Sequence, residues 1–297
     1  MSSLNTAPVT IKFFMPGERL RPYISTFYST EVRTGDHQTV TDWLHPEWAN
    51  LRFFDGNKPI GAIGSAKKKV APRFCVFGPT SYATYFESSR MRSWGIGLLP
   101  LGWAKFLGVS AEDYADQTID GTADPATEKF GPLGDIIFEG NQHGTEAQAN
   151  KIETFFENLL DGAEEDNPLI QKAHNILVDP ELTAVHEMAE QLHVTGRTLD
   201  RLSRKVFGFP PKLLLRRQRF LRSLADNMLN PSQNWVSTLD AHYYDQAHFG
   251  RDFQRFMGMS ASEYKSKPHP FLNAAVHGRM SAAGAGMQVL HEPKSDN

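Results

Sequence analysis

The sequence holds a single cysteine, Cys75, among 297 residues. One thiol forms no intrachain disulfide and no multi-cysteine zinc site, and it suits a reducing cytoplasm. Its expected role is that of a small core hydrophobe. No apolar run approaches the ~18–20 residues that span a bilayer. The opening residues, MSSLNTAPVT, have neither the basic region nor the apolar stretch of a signal peptide. The expectation is therefore a cytoplasmic protein with no membrane partner. Metal-binding spacings are missing as well: His37, His45 and His143 of the first half form no His-x-His or His-Glu-x-x-His pattern. There is no glycine-rich phosphate loop and no nucleophile elbow, and Gly95-Ile-Gly97 lacks the rest of a dinucleotide fingerprint. These absences argue against an enzyme, and no metal or cofactor is expected.

Positive charge is also short, the net being −3. The total conceals a split. Residues 1–167 carry 15 Lys and Arg against 22 Asp and Glu, whereas residues 168–270 carry 14 against 10. Within the second block, residues 197–222 hold nine bases and one acid, Asp200. A dense basic stretch in an acidic chain is a candidate footprint for phosphate, although charge runs are usually solvated helix faces.

What is present divides the chain in two. Hydrophobic residues make up 40%, enough for two cores. Short apolar and aromatic runs at 48–54, 73–77 and 94–99, punctuated by Gly, Pro and Asn, read as strands. Short helices are expected at 102–108 and 111–115, and an amphipathic helix at 147–160 from the spacing of Ile152, Phe155, Phe156, Leu159 and Leu160. The acidic, helix-breaking stretch before Pro168 reads as a linker, and Asn167-Pro168 as a helix start. Beyond it the pattern is helical, with Ser260 and Glu263 forming a capping box. The resulting expectation is an α+β chain: a β-rich, barrel-like domain over 1–162, a linker over 163–168, an all-α domain over 169–270, and a disordered tail over 271–297.

The all-α block repeats itself. Residues 185–208 (VHEMAEQLHVTGRTLDRLSRKVFG) and 236–258 (VSTLDAHYYDQAHFGRDFQRFMG) each read as a short helix, a tight turn and a helix ending at glycine. Thr195 and Asp245 stand where they cap the second helix of each copy. Leu199, Leu202 and Val206 form a buried stripe in one, and Phe249, Phe253 and Phe256 in the other. Two helix-turn-helix units, expected at about 184–207 and 235–257 and joined by a long helix, can place their second helices in successive major grooves.

At this point the residues resemble the AraC/XylS family of transcription regulators over roughly 168–268. The likeness is densest in 243–264 (YYDQAHFGRDFQRFMGMSASEY), with a second match at 208–219 (GFPPKLLLRRQR) where the family's long linking helix begins. Residues 92–110 are more loosely similar to part of the β-rich domain of some members. The resemblance implies a sequence-specific, DNA-binding regulator with double-stranded operator DNA as partner, RNA polymerase as a second partner if it activates, and a sensing or dimerising N-terminal domain. Carried over by position, it implies base reading by Arg197, Thr198, Asp200 and Arg201, and by Gln246, Ala247, His248 and Arg251. Arg204, Lys205, Arg216, Arg217, Arg222 and Arg255 are candidates for phosphate contacts, which position without specifying, and Arg219, among apolar neighbours, for a structural ion pair. Departures are His193 and His242 at turns where the family has glycine, and Ser237 and Thr238 in the helix before the second turn. Histidine tolerates a left-handed backbone better than most residues.

A small-molecule effector of the N-terminal domain is the expected regulator, with Phe54, Phe74, Tyr85 and Trp94 as candidate pocket residues. The alternative is a regulator without an effector, whose N-terminal domain only dimerises or binds a protein. The helix at 147–160 has an apolar face suited either to a homodimer or to packing on its own domain.

Overall fold

The computed structural model describes residues 8–140, 142–162, 164–232 and 234–292. Its first half is built on two antiparallel sheets. The larger has the order β1 (Val9–Phe14), β2 (Ile24–Val32), β9 (Met91–Leu98), β4 (Asn50–Gly56), β7 (Phe74–Phe77), β10 (Thr118–Asp120). The smaller has the order β3 (Val40–Leu44), β8 (Thr84–Ser88), β5 (Ile60–Ile63), β6 (Lys69–Val70). The central strands β2, β4, β7 and β9 are buried on both faces, which is why they read as continuous apolar runs. In β8 the burial alternates, Phe86 inward and Tyr85 and Glu87 outward, as one covered face requires.

One face of the larger sheet, with Leu51, Phe53, Trp94 and Ile96, packs under α1 (Pro100–Phe106), α2 (Gly131–Phe138) and α3 (Glu146–Leu160). A capping box of Thr145 and Gln148 starts α3. Ala149, Ile152 and Phe156 of that helix are buried in the same core, so its apolar face is spent within its own domain. Phe54, Cys75, Phe77 and Met91 on the opposite face meet Val40 and Phe86 of the smaller sheet. The Cys75 thiol is buried, donates to the Pro72 carbonyl at 3.4 Å, and is pushed up to about 12 by that burial. It is an inert core side chain.

The second half is helical: α4 (Pro168–Val178), α5 (Val185–Leu192), α6 (Gly196–Phe207), α7 (Pro211–Leu229), α8 (Gln246–Met257), α9 (Ala261–Ser266) and α10 (Pro270–Ala283). Asn167 caps α4 with its side chain. The stretch before it is tied to the N-terminal domain, since Asp166 accepts from the Tyr23 hydroxyl at 2.6 Å and pairs with Lys105 at 2.6 Å. The first helix-turn-helix is complete in α5 and α6, and its turn passes through His193 at φ 55. The second is not. Where a helix precedes α8 by repeat, there is a single 3-10 turn, Trp235–Thr238, started by the Asn234 side chain. Asn, Ser and Thr here bond the local backbone instead of continuing a helix. His242 keeps a negative φ, and Asp240 holds both its N–H and its ring at 3.0 Å.

The segment from 271 corrects the expectation of a disordered tail. It forms most of α10, then a 3-10 turn at Gln288–Leu290. Phe271, Leu272, Val276, Met287 and Val289 are buried. α10 packs on β1 and β3 on one side and on α7 on the other. With both sides covered and with Gly278 lying close against the Phe13 ring, it shows no single apolar stripe. Its start is fixed by Asp42 of β3, a fully buried carboxylate that accepts from the N–H groups of Phe271 and Leu272 and pairs with His269 at 2.8 Å. Residues 293–297 of the expected tail lie outside the described residues.

Candidate nucleic-acid interface

Each reading helix is held by its caps and its stripe. Thr195 caps α6 through the Thr198 N–H, and Asp245 caps α8 through the His248 N–H at 2.6 Å. Gly208 and Gly258 end them in the left-handed region, at φ 81 and 71. Leu199 and Val206 bury one side of α6, and Phe249, Phe253 and Phe256 one side of α8, where they stack around Phe220 of α7. The opposite sides face solvent. On α6 these are Arg197, Arg201 and Lys205, spaced four apart on one face. On α8 they are Gln246, Ala247 and Arg251. Arg197, Arg201, Lys205 and Arg251 make no ion pair among the described residues.

The remaining expected readers, Thr198, Asp200 and His248, stay partly exposed but have partners within the chain. The Thr198 hydroxyl meets that of Thr195 at 3.0 Å. Asp200 accepts from Arg204 Nε at 2.9 Å, and Arg204 extends to Glu112 of the N-terminal domain at 2.6 Å. His248 packs edge-on against Tyr243 and lies 3.2 Å from Arg219.

α7 binds α8 through Asp252, which is fully buried and receives Arg216, Arg219 and the Tyr243 hydroxyl. Arg222 donates to Asp240 at 2.6 Å. Burial alone would raise the Asp240 carboxyl, but the His242 N–H and the Arg222 guanidinium hold it below the usual range. Lys212, Arg216, Arg219, Arg222, His242 and His248 thus line one groove between the two units, of about 650 Å³. Lys212 was not singled out by sequence; its only signal was membership of the basic run.

Arg217 corrects the phosphate assignment. It is completely buried. Its Nη1 donates to the Thr80 carbonyl at 2.8 Å and its guanidinium lies 4.1 Å over the Trp48 ring. Burial pushes it down to about 9. It binds the β-domain and meets no solvent-side phosphate. Arg255 reaches the same region, over the Tyr82 ring at 5.6 Å. The loop joining β7 to β8 therefore touches all three helices: Thr80 holds α7, the Ala83 N–H donates to the Phe256 carbonyl at 2.6 Å, and Pro79 abuts Gly208 at the end of α6.

Of the expected pocket residues, Phe54 lines a cavity between the sheets and α10. Phe74 stacks on Phe53 at 4.4 Å, Trp94 is buried in the helix-covered core, and Tyr85 pairs edge-on with Trp43. None of these three lines it.

Residues 188–267 match a family model described as a helix-turn-helix domain. This segment is an AraC-type helix-turn-helix domain. No curated protein matches the chain. Among solved structures the chain is similar to ToxT from Vibrio cholerae, at 11% identity over 80% of this chain and 97% of that one, with a TM-score of 0.45. A second ToxT structure from that organism, bound to unsaturated fatty acid, gives 10% over 89% and 97%, at 0.44. The AraC-like transcriptional activator CuxR gives 11% over 75% and 89%, at 0.25. At these scores the overlays fix no residue of the site. Among the described residues no helix is long and apolar enough to cross a membrane.

Proposed function

We propose that the protein is a sequence-specific DNA-binding transcription regulator that reads two adjacent major grooves with α6 and α8. The observation that carries this is the pair of solvent-facing arginine sides, Arg197 with Arg201 on α6 and Arg251 on α8, fixed relative to one another by α7 within the AraC-type domain. Arginine forks onto guanine O6 and N7, and Gln246 is suited to adenine. Lys205, Lys212 and Arg216 supply the non-specific phosphate attraction. Selection of bound duplexes from a random pool tests the reading: an enriched site with two half-elements about one helical turn apart is expected. Arg251→Ala is expected to cost ~1–3 kcal/mol and to relax preference at one base pair. Recovery of no preferred sequence overturns it.

Regulation by a small molecule in the N-terminal domain is the second element of the proposal. The cavity behind Phe54 supports it over a domain that only dimerises, as does the use of the α3 apolar face within its own core. A ligand of that cavity is expected to shift operator affinity, and operator DNA to shift ligand affinity by the same factor.

A further inference from the structure

The cavity has a volume of about 110 Å³ and lies between the two sheets and α10. Its walls are largely apolar, with Phe13, Phe54, Phe86, Met91, Phe271 and Val276 among them. Three charged side chains also reach it: Glu47, Arg52 and Arg279. Glu47 and Arg52 are paired, and Arg52 Nε donates to the Tyr28 hydroxyl at 2.8 Å. His45, on the same wall, is kept neutral by burial, at about 3, and bonds the Tyr264 hydroxyl. Arg279 feels that same Glu47 carboxylate but makes no ion pair with it. It is only 7% exposed. Its Nη1 donates to the Thr26 hydroxyl at 2.8 Å, its guanidinium lies 4.7 Å over the Phe13 ring, and no carboxylate among the described residues pairs with it. A second donor, Arg52 Nη1, is buried with no partner. Two guanidiniums against one carboxylate leave one positive charge inside an apolar chamber, an arrangement that is costly until an anion completes it.

We propose, resting on the effector reading above, that this cavity binds a small apolar monocarboxylate, with its carboxylate on Arg279 and its hydrocarbon body against Phe54 and Phe86. A single negative charge matches the single uncompensated cation, and a guanidinium fork matches a carboxylate. The apolar walls select a hydrocarbon body over a free inorganic anion. An engineered apolar cavity of ~150 Å³ takes benzene, so the body is on the order of one ring or a short chain. Arg279 belongs to α10, beyond the helix-turn-helix units, and not to the β-domain. The chain after α10 returns through Gln288, which bonds Asn50 and the Ala49 and Leu98 carbonyls, to Val289, whose carbonyl accepts from Gln218 of α7 at 2.7 Å. An acid held on Arg279 therefore bears, through α10 and this return segment, on the helix that spaces α6 and α8.

The full-length protein is titrated calorimetrically with benzoate and octanoate and with benzyl alcohol and 1-octanol, as wild type, Arg279→Lys and Arg279→Met. The acids are expected to bind about tenfold or more tighter than their matched alcohols in the wild type. Arg279→Lys is expected to keep that preference. Arg279→Met is expected to lose it while still binding the alcohols, which shows the chamber intact. Equal binding of acid and alcohol by the wild type overturns the proposal and leaves the effector reading standing, as does undiminished acid preference in Arg279→Met. If acids bind with the expected preference but leave affinity for the selected duplex unchanged, the acid site stands and the effector reading falls. If none of the four probes binds, the proposal falls whatever Arg279→Met does.

Discussion

At the scale of single residues, neighbours decide what a charge is for. Arg216 and Arg217 are adjacent in a basic run, yet one lines the open groove and the other is sealed against Trp48 and the Thr80 carbonyl. Arg217→Ala is accordingly expected to cost ~2–4 kcal/mol of folding stability by leaving a void and an unpaired carbonyl. The slope of log Kd against log salt for DNA is expected to stay unchanged, since no phosphate contact is removed. Lys205→Ala, on the exposed face of α6, is expected to do the reverse: unaltered unfolding, and a slope smaller by about one. Parallel urea melts and salt titrations on one duplex separate the two, and a flattened slope for Arg217→Ala would return it to the phosphate set. This is also where the sequence was least legible. Charge and helical position identified Arg201 and Arg251 as outward-facing. They carried no sign that Arg217 meets an aromatic ring 169 positions earlier, because that contact belongs to the packing of two domains.

At the scale of elements, local chemistry was readable wherever local chemistry decides. The Thr195 and Asp245 caps, the Ser260 half of the expected capping box, the glycine ends of α6 and α8 and the phenylalanine stripe of α8 are properties of a few neighbouring residues, and they stand in the structure as the sequence implied, whereas the Glu263 side chain pairs with Lys267 instead of closing the box. The helix before α8 failed because Asn234, Ser237 and Thr238 satisfy the backbone with side chains. α10 was missed because its partners, Asp42 and the ring of Phe13, come from the opposite end of the chain. The two glycine caps offer a comparison. Both have positive φ, but a Cβ on Gly258 meets nothing within 4 Å, whereas one on Gly208 falls 2.6 Å from Pro79 Cγ and 3.2 Å from the Ala111 carbonyl. Gly258→Ala is expected to cost ~1–2 kcal/mol, the left-handed penalty alone. Gly208→Ala is expected to cost more and to speed proteolysis between the domains, because the β7–β8 loop must withdraw from the end of α6. Equal losses for both variants in urea melts, with equal protease sensitivity, would mean that this close approach does not hold the domains.

At the scale of the whole molecule, the two domains share one core and are expected to unfold together. Trp48, Ala83, Leu99 and Leu101 of the first pack with Ile170, Phe207, Leu214 and Phe220 of the second. Two buried histidines sit at this boundary: His45 against Tyr264, and His174 against Trp48 and Phe207. Burial lowers both from 6.5 to about 3. Below pH ~6.5 the unfolded chain therefore binds protons that the folded chain refuses, so stability falls as pH falls, the sign opposite to that of a histidine that gains a carboxylate. Between about pH 6 and 4 these two groups contribute a slope approaching two protons, on the order of 3 kcal/mol per pH unit, and His174→Gln is expected to halve that contribution in melts across the window. The same shared core makes the C-terminal segment structural. A chain ending at 268 loses Phe271, which meets Phe86 edge-on at 5.0 Å, and with it Leu272, Val276, Met287 and Val289. At ~1.5–3 kcal/mol for each fully buried side chain, less the ordering entropy of α10, the expected loss is several kcal/mol. Asp42, left buried without His269 and the α10 N–H groups, adds to it. A chain ending at 292 keeps all of these contacts and is expected to melt with the full-length protein. If the chain ending at 268 did so too, α10 would be an appendage and the cavity beneath it would lack a fixed wall.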